Sequence, residues 1–364
     1  MVIRAAFWKD RRVLITGHTG FKGSWLSLWL QAMGARVVGY ALPPATQPSL
    51  FAAAGVAQQM VSILADVRDP DQLARAFADH RPEVVFHLAA QAEILRSYAH
   101  PVETYATNVM GTVNLLEAIR QTPAVRAVVV VSSDKCYDNR ESAEAHRESS
   151  ALGGSDPYSS SKACVELVAA AYRSSFFSAA DHASHGTAIG SARAGNAIGG
   201  GDWSDNRLIP DAMRAFTGKR PLMVRHPGAI RPWQHVLEPL AGYLLLAEKL
   251  HEEGAAFAEA WNFGPVDQDT HSVEQVLEAL VGIWGDGAAW LRDVRPHPHE
   301  AHCLRLDASK AGSGLHWHPV WRLPTALRAT VDWYRAHSCG ADMTAICREQ
   351  IDDYCRDAAS AITR

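Results

Sequence analysis

Residues 12–30 read RVLITGHTGFKGSWLSLWL, and this stretch decides the fold. A short apolar run at Arg12–Thr16 is followed by glycines at 17, 20 and 23 and then by an apolar segment typical of a buried helix. A glycine-rich turn between a strand and a helix lets a pyrophosphate approach the free N–H groups of the helix N-terminus. The stretch therefore predicts a dinucleotide site, although its spacing is Gly-x-x-Gly-x-x-Gly. The alternative is a glycine-rich turn that only packs the helix.

The chain that follows alternates between strand and helix patterns, which predicts a parallel sheet covered on both faces. We expect an α/β fold with a Rossmann-type doubly wound parallel sheet. The predicted strands after the first are 37–40, 62–65, 84–88, 127–132 and 187–194, and the predicted helices are 70–80, 102–121 and 157–177.

The alternation of strand and helix patterns ends at about residue 195, which indicates a second structural unit. Three glycines at 199–201, scattered prolines and short helices predict a smaller C-terminal substrate-binding lobe over the carboxyl edge of the sheet. We expect residues 1–195 to form the dinucleotide-binding domain, 196–340 mainly the lobe, and 341–364 a C-terminal helix. A late strand near 259–263 suggests that residues 232–265 return to the main sheet, so the lobe is interleaved with the first domain.

Composition excludes several classes of function. The 364 residues are 48% hydrophobic with a net charge of −4, which indicates neither a nucleic-acid groove nor a basic membrane surface. No apolar run reaches membrane-span length. The six cysteines contain no C-x-x-C pair, which favours a reduced, cytoplasmic chain without a metal. Histidines 297, 299 and 302 lie among prolines, so we expect a loop there and not a metal cluster.

The ends of the other strands supply further cofactor candidates. Asp66 and Val67 follow the third strand, where the carboxylate either binds an adenine amino group or caps a helix. The small residues Ala89 and Ala90, followed by Gln91, would let backbone approach the cofactor at the end of the fourth strand. The second strand ends without a carboxylate for a ribose hydroxyl or an arginine for a 2′-phosphate, and the missing arginine favours NAD over NADP.

Catalytic candidates follow the fifth strand and begin the next helix. Tyr158 and Lys162 are spaced i and i+4, so they share a helix face, and the ammonium is expected to lower the phenol pKa for proton transfer. Ser133 is followed at once by Asp134 and Lys135, which predicts proton chemistry beyond hydride transfer. A solvated acid–base pair in a loop is the alternative interpretation of Asp134-Lys135.

Five more stretches complete the pattern, namely NVMGTVNLLEA (108–118), SSDKCY (132–137), DPYSSSKACVEL (156–167), ARAGNAIGGGDW (192–203) and RPWQHVLEPLAGYLLLAE (231–248). Together they resemble the extended short-chain dehydrogenase/reductase superfamily and, within it, the CDP-glucose 4,6-dehydratase family of NAD-dependent nucleotide-sugar dehydratases. The Ser-Asp-Lys string discriminates most, because related dTDP-glucose and GDP-mannose dehydratases usually place a glutamate after the acid. The resemblance implies a cytoplasmic lyase of deoxysugar biosynthesis, as in O-antigen lipopolysaccharide.

The resemblance also implies a mechanism. Tyr158, assisted by Lys162 and Ser133, removes the hydroxyl proton at sugar carbon four while NAD+ takes the hydride. A base then removes the carbon-five proton as Asp134 protonates the leaving hydroxyl on carbon six, which requires that the acid be buried or lie beside a like charge. Lys135 is either that base or an electrostatic stabiliser of the enolate.

Binding residues follow from the same resemblance. It assigns the cofactor to Gly17, Thr19, Gly20, Phe21, Lys22, Gly23, Asp66, Val67, Ala89, Ala90, Gln91, Asn108, Tyr158 and Lys162. It assigns the substrate diphosphate to Asn196 and Arg231, with Arg193 and Arg207 as weaker candidates in the same region. For Arg231 a surface ion pair is the alternative.

One segment departs from the family pattern. After Gln91 the family usually continues with a proline, two apolar residues and an arginine pair, whereas this chain reads Ala92-Glu93-Ile94-Leu95-Arg96. Glu93 is expected either to contact the hexose, by binding a hydroxyl or acting as base, or to be a solvent-facing acid. An epimerase, a reductase, a dehydratase of another nucleotide sugar and a dinucleotide-sensing binding protein remain alternative functions. By analogy we expect a homodimer or homotetramer assembled through helices 102–121 and 157–177.

Overall fold

The computed structural model describes residues 2–141, 144–295 and 303–361. Strands are numbered in chain order. They are β1 Arg12–Thr16, β2 Arg36–Ala41, β3 Val61–Leu64, β4 Val84–His87, β5 Ala127–Val131, β6 Ala188–Ala194, β7 Ala197–Ile198, β8 Leu222–Val224, β9 Ile230–Pro232, β10 Gln234–His235, β11 Ala260–Phe263, β12 Thr270–Ser272 and β13 Trp290–Arg292.

The helices are also numbered in chain order. They are α1 Ala5–Trp8, α2 Phe21–Ala32, α3 Leu50–Ala53, α4 Pro70–His80, α5 Ile94–Ala99, α6 Pro101–Tyr105, α7 Gly111–Arg120, α8 Pro157–Ser175, α9 His182–His185, α10 Leu208–Thr217, α11 Leu237–Glu253, α12 Val273–Trp284, α13 Ser309–Leu315, α14 Leu323–Ser338 and α15 Met343–Ser360. The predicted helix over 102–121 is divided into α6 and α7 by a π-helical turn at Ala106–Met110.

A seven-stranded sheet in the order β11-β6-β5-β4-β1-β2-β3 forms the centre of the molecule, and its strands run parallel. This architecture confirms the predicted doubly wound α/β fold. Chain order reverses between β1 and β4, and in such sheets ligands bind outside the carboxyl ends of the strands at this switch point. The segments that follow β1, β4 and β5 therefore meet at one edge.

Strand β5 shows why the sheet needs two covered faces. Its residues alternate between two apolar clusters, with Val129 and Val131 in one and Val128 and Val130 in the other. Helices α2 and α11 contribute to the first cluster, and α4, α7 and α8 contribute to the second. An uninterrupted run of valines suits a strand that is buried on both sides.

The remaining strands pair in three two-stranded ribbons, β7 with β10, β9 with β12 and β8 with β13. Strand β11 lies beside β6 in the main sheet, so the chain returns to that sheet after entering the smaller lobe. Among the described residues, no helix has the length and apolarity that crossing a bilayer requires. Within the same ranges no cluster of metal-ligating side chains occurs, and histidines 297, 299 and 302 lie outside them.

Candidate active site

The glycine turn after β1 is tightly packed. Gly17 has a φ of +79°, and a Cβ there would lie 2.7 Å from the backbone nitrogen of Ala89 at the end of β4. A Cβ at Gly23 would lie 2.1 Å from the carbonyl oxygen of Gly17, so only glycine lets α2 approach the turn this closely. These contacts hold the turn, the first helix and the end of β4 together at the switch point.

The N-terminus of α2 follows directly from the glycine turn. Gly20 is its N-cap and no side chain caps it, while the neighbouring Thr19 hydroxyl donates to the carbonyl oxygen of Leu42 at 2.8 Å. Uncapped N–H groups and the helix dipole make such an end an anion site. Lys22 in the first turn is half-buried, and burial is the largest cause lowering its pKa to about 8, with Arg207 adding to the effect.

A side-chain amide fixes the loop after β4. The Asn108 amide oxygen accepts from the Gln91 backbone N–H at 2.8 Å, and its amide nitrogen donates to the Gln91 carbonyl oxygen at 3.0 Å. The same nitrogen donates to the Ser161 hydroxyl at 2.8 Å, which links the loop to α8. Asn108 sits in the π-helical turn, a geometry frequent at functional sites. Its amide holds the backbone that follows Ala89 and Ala90.

Asp66 is not the helix cap that one interpretation of the sequence allowed. The cap of α4 is Asp69, whose carboxylate accepts from the N–H groups of Asp71 and Gln72. The Asp66 carboxylate instead accepts from Arg68, at 2.8 Å from Nε, and this hydrogen bond is the largest cause holding its pKa below the usual value. Val67 lies against Gly111 of α7, where an added Cβ would be 2.8 Å from its side chain.

Ser133 and Asp134 form a buried unit after β5. Ser133 caps the short 3-10 turn Asp134–Cys136, and its hydroxyl donates to Asp134 Oδ1 at 2.9 Å. Only 2% of Asp134 is exposed, and its second oxygen, Oδ2, has no hydrogen-bond partner among the described residues. Because buried carboxylate oxygens are normally paired, Oδ2 marks a place for a ligand group.

Ser133 is close enough to the Tyr158 hydroxyl to act on its pKa, so both belong to one site. Burial is the dominant influence and raises the pKa of Tyr158 to about 12, while Ser133 and the charge of Arg207 oppose that rise. Burial therefore controls the phenol pKa in this structure, and an effect of Lys162 on it stays a prediction. The Lys162 ammonium donates to the Val131 carbonyl oxygen at 3.3 Å, and burial lowers its own pKa to about 8.

Lys135 is half-buried and its backbone N–H donates to the Ser133 hydroxyl at 3.2 Å. The carboxylate next to it in sequence is buried whereas the lysine reaches the surface of the turn. The pair is thus not the solvated loop pair of the alternative interpretation, since Asp134 is enclosed.

Arg207 joins the catalytic group from the lobe. Its guanidinium donates to the buried Asp202 carboxylate at 3.1 Å. Burial lowers the Arg207 pKa, but Asp202, Tyr158 and Glu93 together leave that pKa raised. Arg207 is thus within electrostatic range of Tyr158 and of Glu93, a half-buried residue at the N-cap of α5.

Arg193 does not have the substrate position that the sequence predicted. Its guanidinium forms an ion pair with Glu166 at 2.8 Å and donates to the Tyr137 hydroxyl at 2.9 Å and to the Glu148 carbonyl oxygen at 3.0 Å. Only 5% of the side chain is exposed. Because both terminal nitrogens have internal partners and the side chain is buried, we exclude Arg193 from the substrate residues.

Asn196 and Arg231 both lie where the lobe meets the sheet edge. The Asn196 carbonyl oxygen accepts from the Gln234 backbone N–H at 3.1 Å, and its side chain is half-buried. Arg231 in β9 is buried and donates to the Ile230 carbonyl oxygen at 2.9 Å, so it does not lie at the surface as the alternative interpretation assumed.

Two residues beside the site were missed at the sequence level. Asp202 follows the three glycines of the lobe, and its acidic side chain there was a usable signal for an arginine partner. The ring of His146 stacks on Tyr137 with centroids 4.7 Å apart, and the charge of Asp134 acts on its pKa, which burial lowers overall. No sequence signal connected His146 with the site, because its contacts are long-range.

Comparison with known proteins identifies the class. The pattern of the NAD dependent epimerase/dehydratase family matches residues 13–264, and the chain belongs to that family. The chain is 52% identical to a CDP-glucose 4,6-dehydratase of Salmonella typhimurium over 358 residues, which span 98% of this chain and 99% of that protein.

Solved structures agree in fold. A Thermus thermophilus UDP-glucose 4-epimerase in complex with NAD is 25% identical with a TM-score of 0.76, over 89% of this chain and 99% of that one. A dTDP-glucose 4,6-dehydratase from Streptomyces venezuelae with NAD bound is also 25% identical with a TM-score of 0.75, over 91% and 99% of the two chains.

The residues present fit NAD, the cofactor of this family. The glycine turn leaves no room for a Cβ at 17 or 23, and the open end of α2 suits a pyrophosphate. Lys162 and Tyr158 lie on one face of α8 beside the end of β5. These are the chain's groups that would hold NAD across the switch point.

Proposed function

We propose that this protein is a lyase that dehydrates CDP-glucose to CDP-4-keto-6-deoxyglucose with tightly bound NAD. The observation that carries this proposal is the Asp134 carboxyl, buried beside Ser133 with one oxygen unpartnered. An epimerase or a reductase needs no acid at this place, whereas elimination of water requires one. The 52% identity to a relative named for this reaction supports the choice of substrate.

Proton removal at carbon four belongs to Tyr158 in this proposal. Ser133 and the charge of Arg207 both favour the phenolate, against the larger, opposing effect of burial. Lys162, on the same helix face, supplies a second cation and holds the end of β5 through Val131. Bound NAD+ supplies the hydride acceptor for carbon four and the donor for carbon six.

In this proposal the turn that follows β5 supplies the acid for the loss of water. Asp134 Oδ2 points to no protein partner among the described residues and is assigned to the hydroxyl on carbon six. Lys135 and Glu93 both remain candidates for the base at carbon five. Glu93 is favoured because its charge acts on Arg207, which also interacts electrostatically with Tyr158. Lys135 is favoured because it follows Asp134 directly in the sequence.

The nucleotide diphosphate is assigned to the lobe, mainly residues 196–340 with the return to the sheet between 232 and 265. Arg207 and Arg231 are the cations and Asn196 is the polar contact, since guanidinium groups bind phosphate oxygens in pairs of hydrogen bonds. The proposal also assigns Asp66 and Val67 to the adenine end of the cofactor and Lys22 to its phosphates.

A homodimer or homotetramer is part of the proposal. Several large apolar side chains are exposed on the face formed by α5 to α8, namely Tyr98, Val102, Tyr105, Met110, Leu167 and Phe176. Exposed apolar groups that share a surface mark an interaction site. The six free cysteines support a reducing, cytoplasmic location.

The test is a product analysis. The purified protein is incubated with CDP-, dTDP-, UDP- and GDP-linked hexoses, and the products are identified by mass and by the alkaline absorbance of 4-keto sugars. We expect loss of one water from CDP-glucose without net consumption of NADH. An unchanged mass with an inverted hydroxyl, or stoichiometric NADH consumption, would replace the proposal by an epimerase or a reductase.

A further inference from the structure

A buried ion pair is linked by hydrogen bonds to the segment 133–136, which contains Asp134 and Lys135 and is called the catalytic turn below. The Glu166 carboxylate and the Arg193 guanidinium are 2.8 Å apart, and 1% and 5% of their side chains are exposed. Arg193 belongs to β6, whereas Glu166 belongs to α8 and follows Lys162 by four residues, which places these two on one helix face. The proposed reaction assigns no chemical step to either member of the pair.

The pair holds both ends of the catalytic turn. At the front end, the Ser132 hydroxyl donates to Glu166 Oε1. At the far end, the Arg193 guanidinium donates to the Tyr137 hydroxyl at 2.9 Å. Ser132 and Tyr137 flank the segment 133–136, which contains Asp134 and Lys135. One ion pair therefore closes a loop of hydrogen bonds around the acid of the proposed reaction.

Further hydrogen bonds fasten the pair to the sheet. Glu166 Oε2 accepts from the Ser191 hydroxyl in β6 at 2.7 Å. Tyr137 passes the connection on, because its hydroxyl donates to Asn262 Oδ1 in β11 at 2.6 Å. The segment after β5, strands β6 and β11, and the helix that carries Tyr158 are thus linked through one buried charge pair, and a displacement of any of them is opposed by the others.

The charges of the pair also reach Lys162. Burial alone would raise the pKa of Glu166, but hydrogen bonding to Arg193 and the guanidinium charge outweigh burial and hold that pKa below its usual value. Glu166 therefore stays ionised behind the site. Its charge raises the pKa of Lys162 against the larger, opposing effect of burial.

We propose that the Glu166–Arg193 pair is a positioning device that fixes the Asp134–Lys135 turn relative to the helix carrying Tyr158 and Lys162. This inference rests on the proposed function, in which the phenol acts at carbon four and the acid at carbon six of one bound sugar. The phenol and the acid come from different elements, so contacts between those elements must maintain the distance between the two groups. The Glu166–Arg193 pair makes such contacts, because it hydrogen-bonds to Ser132 and Tyr137 on either side of the turn and Glu166 is part of the helix.

The test separates the two half-reactions in the full-length enzyme. In Arg193→Met, Tyr137 loses its hydrogen bond from the guanidinium and keeps only the one to Asn262, while Glu166 loses its counter-charge. We expect kcat to fall roughly 100-fold, as for a displacement of about 1 Å, with KM within about twofold. Reduced cofactor should accumulate in a single turnover, because hydride transfer continues while water loss slows. Arg193→Lys keeps the charge opposite Glu166 and should recover part of kcat.

Glu248→Gln is the matched control. Glu248 is also a buried helix carboxylate paired with an arginine, at 2.8 Å from Arg4, but it contacts no residue of the catalytic turn. We expect all three variants, Glu248→Gln, Glu166→Gln and Arg193→Met, to have a lower melting temperature. Glu248→Gln alone should keep the wild-type kcat and the wild-type time course of cofactor reduction. The comparison removes loss of stability as an explanation.

Two results would overturn the inference. Arg193→Met could lose stability like Glu248→Gln and keep wild-type kcat without reduced cofactor, which would make the pair structural only. If Arg193→Met does not fold, the same traces from Glu166→Gln decide, and wild-type behaviour there has the same meaning. Failure of the proposed function is seen separately, because the wild-type enzyme itself would then form no dehydrated product from CDP-glucose.

Discussion

The cofactor side and the substrate side of the cleft are built in different ways. The cofactor side is built mainly of backbone, with Gly17 and Gly23 packed without room for a Cβ and the Gln91 backbone hydrogen-bonded to Asn108. On the substrate side charged side chains meet, as Arg207 and Asp202 do. Backbone sites are specified by short-range spacing, whereas charged sites depend on partners that are remote in sequence.

Removing the acid tests the substrate side with the largest expected effect. In Asp134→Asn the side chain keeps its shape but cannot donate a proton to the leaving hydroxyl, so we expect kcat to fall roughly 10³-fold. Reduction of the bound cofactor by CDP-glucose should persist, and it is measured by absorbance in a single turnover. If water loss were as fast as in the wild type, the assignment of the acid would be wrong.

Filling the glycine turn tests the cofactor side. In Gly23→Ala the new Cβ would lie 2.1 Å from the Gly17 carbonyl oxygen, so the turn or α2 must move. We expect a loss of stability of about 3 kcal/mol, as for overpacking of a core, together with purification of the protein without its cofactor. Gly282→Ala, in an open helical position, is the control because a Cβ there meets nothing within 4 Å.

Arg207 and Arg193 are expected to affect different kinetic parameters. Arg207→Met should raise KM for CDP-glucose about 30-fold, which corresponds to roughly 2 kcal/mol for one charge-assisted contact, because its guanidinium is the proposed contact of the diphosphate. Arg193→Met is expected to act on kcat and not on KM. Steady-state kinetics of both variants distinguish a binding arginine from a positioning one. Equal effects on KM would contradict the distinction.

Buried histidines predict a loss of stability in acid that falls mainly on the cofactor side. Burial lowers the pKa of His18 to about 4 and those of His87 and His235 to about 3, whereas the unfolded value is 6.5. The unfolded chain therefore binds more protons below pH 6.5, so stability is retained above that value and lost as pH falls toward 4. Each histidine contributes up to about 1.4 kcal/mol per pH unit.

Chemical unfolding at pH 7.5, 6.5 and 5.5 measures this slope. His18 and His87 belong to the glycine turn and to β4, so bound cofactor should be released before the lobe unfolds. His18→Asn removes one titrating group and should flatten the slope. A slope unchanged by that substitution would show that other groups control acid unfolding.

Glu93→Gln carries the smallest expected effect. If Glu93 is the base or a hexose contact, the loss of its charge should lower turnover or alter preference among nucleotide sugars, by tenfold or more for a base. If its carboxylate only balances the charge of Arg207, we expect about a twofold rise in KM. Turnover with the same panel of substrates distinguishes these results, and unchanged values exclude Glu93 from the site.

The fold and the cofactor turn were predictable because their signals are local. The glycines, the valine run of β5 and the i, i+4 spacing of Tyr158 and Lys162 each specify structure within a few residues. The fate of Arg193 was not predictable, because its partner Glu166 lies on another element and no spacing relates the two. The same reason explains why Arg207 was ranked as a weak candidate although its charge acts on the pKa of Tyr158.

The pKa of Tyr158 marks another limit of sequence reasoning. The i, i+4 rule places Lys162 on the correct face, but it does not say where the ammonium points. The ammonium reaches back to the Val131 carbonyl oxygen, and burial then controls the titration of both residues. Desolvation is a property of the assembled core, so no local pattern reports it.

The tryptophans of α2 give the site an optical reporter. Trp25 and Trp29 follow the glycine turn on the same helix, and the Trp25 indole donates to the Gly200 carbonyl oxygen at 3.0 Å. Both indoles are buried, so their orientation relative to the cleft is fixed. Tryptophan emission overlaps the absorption of reduced nicotinamide, so each hydride transfer should quench the protein's fluorescence and each return should restore it.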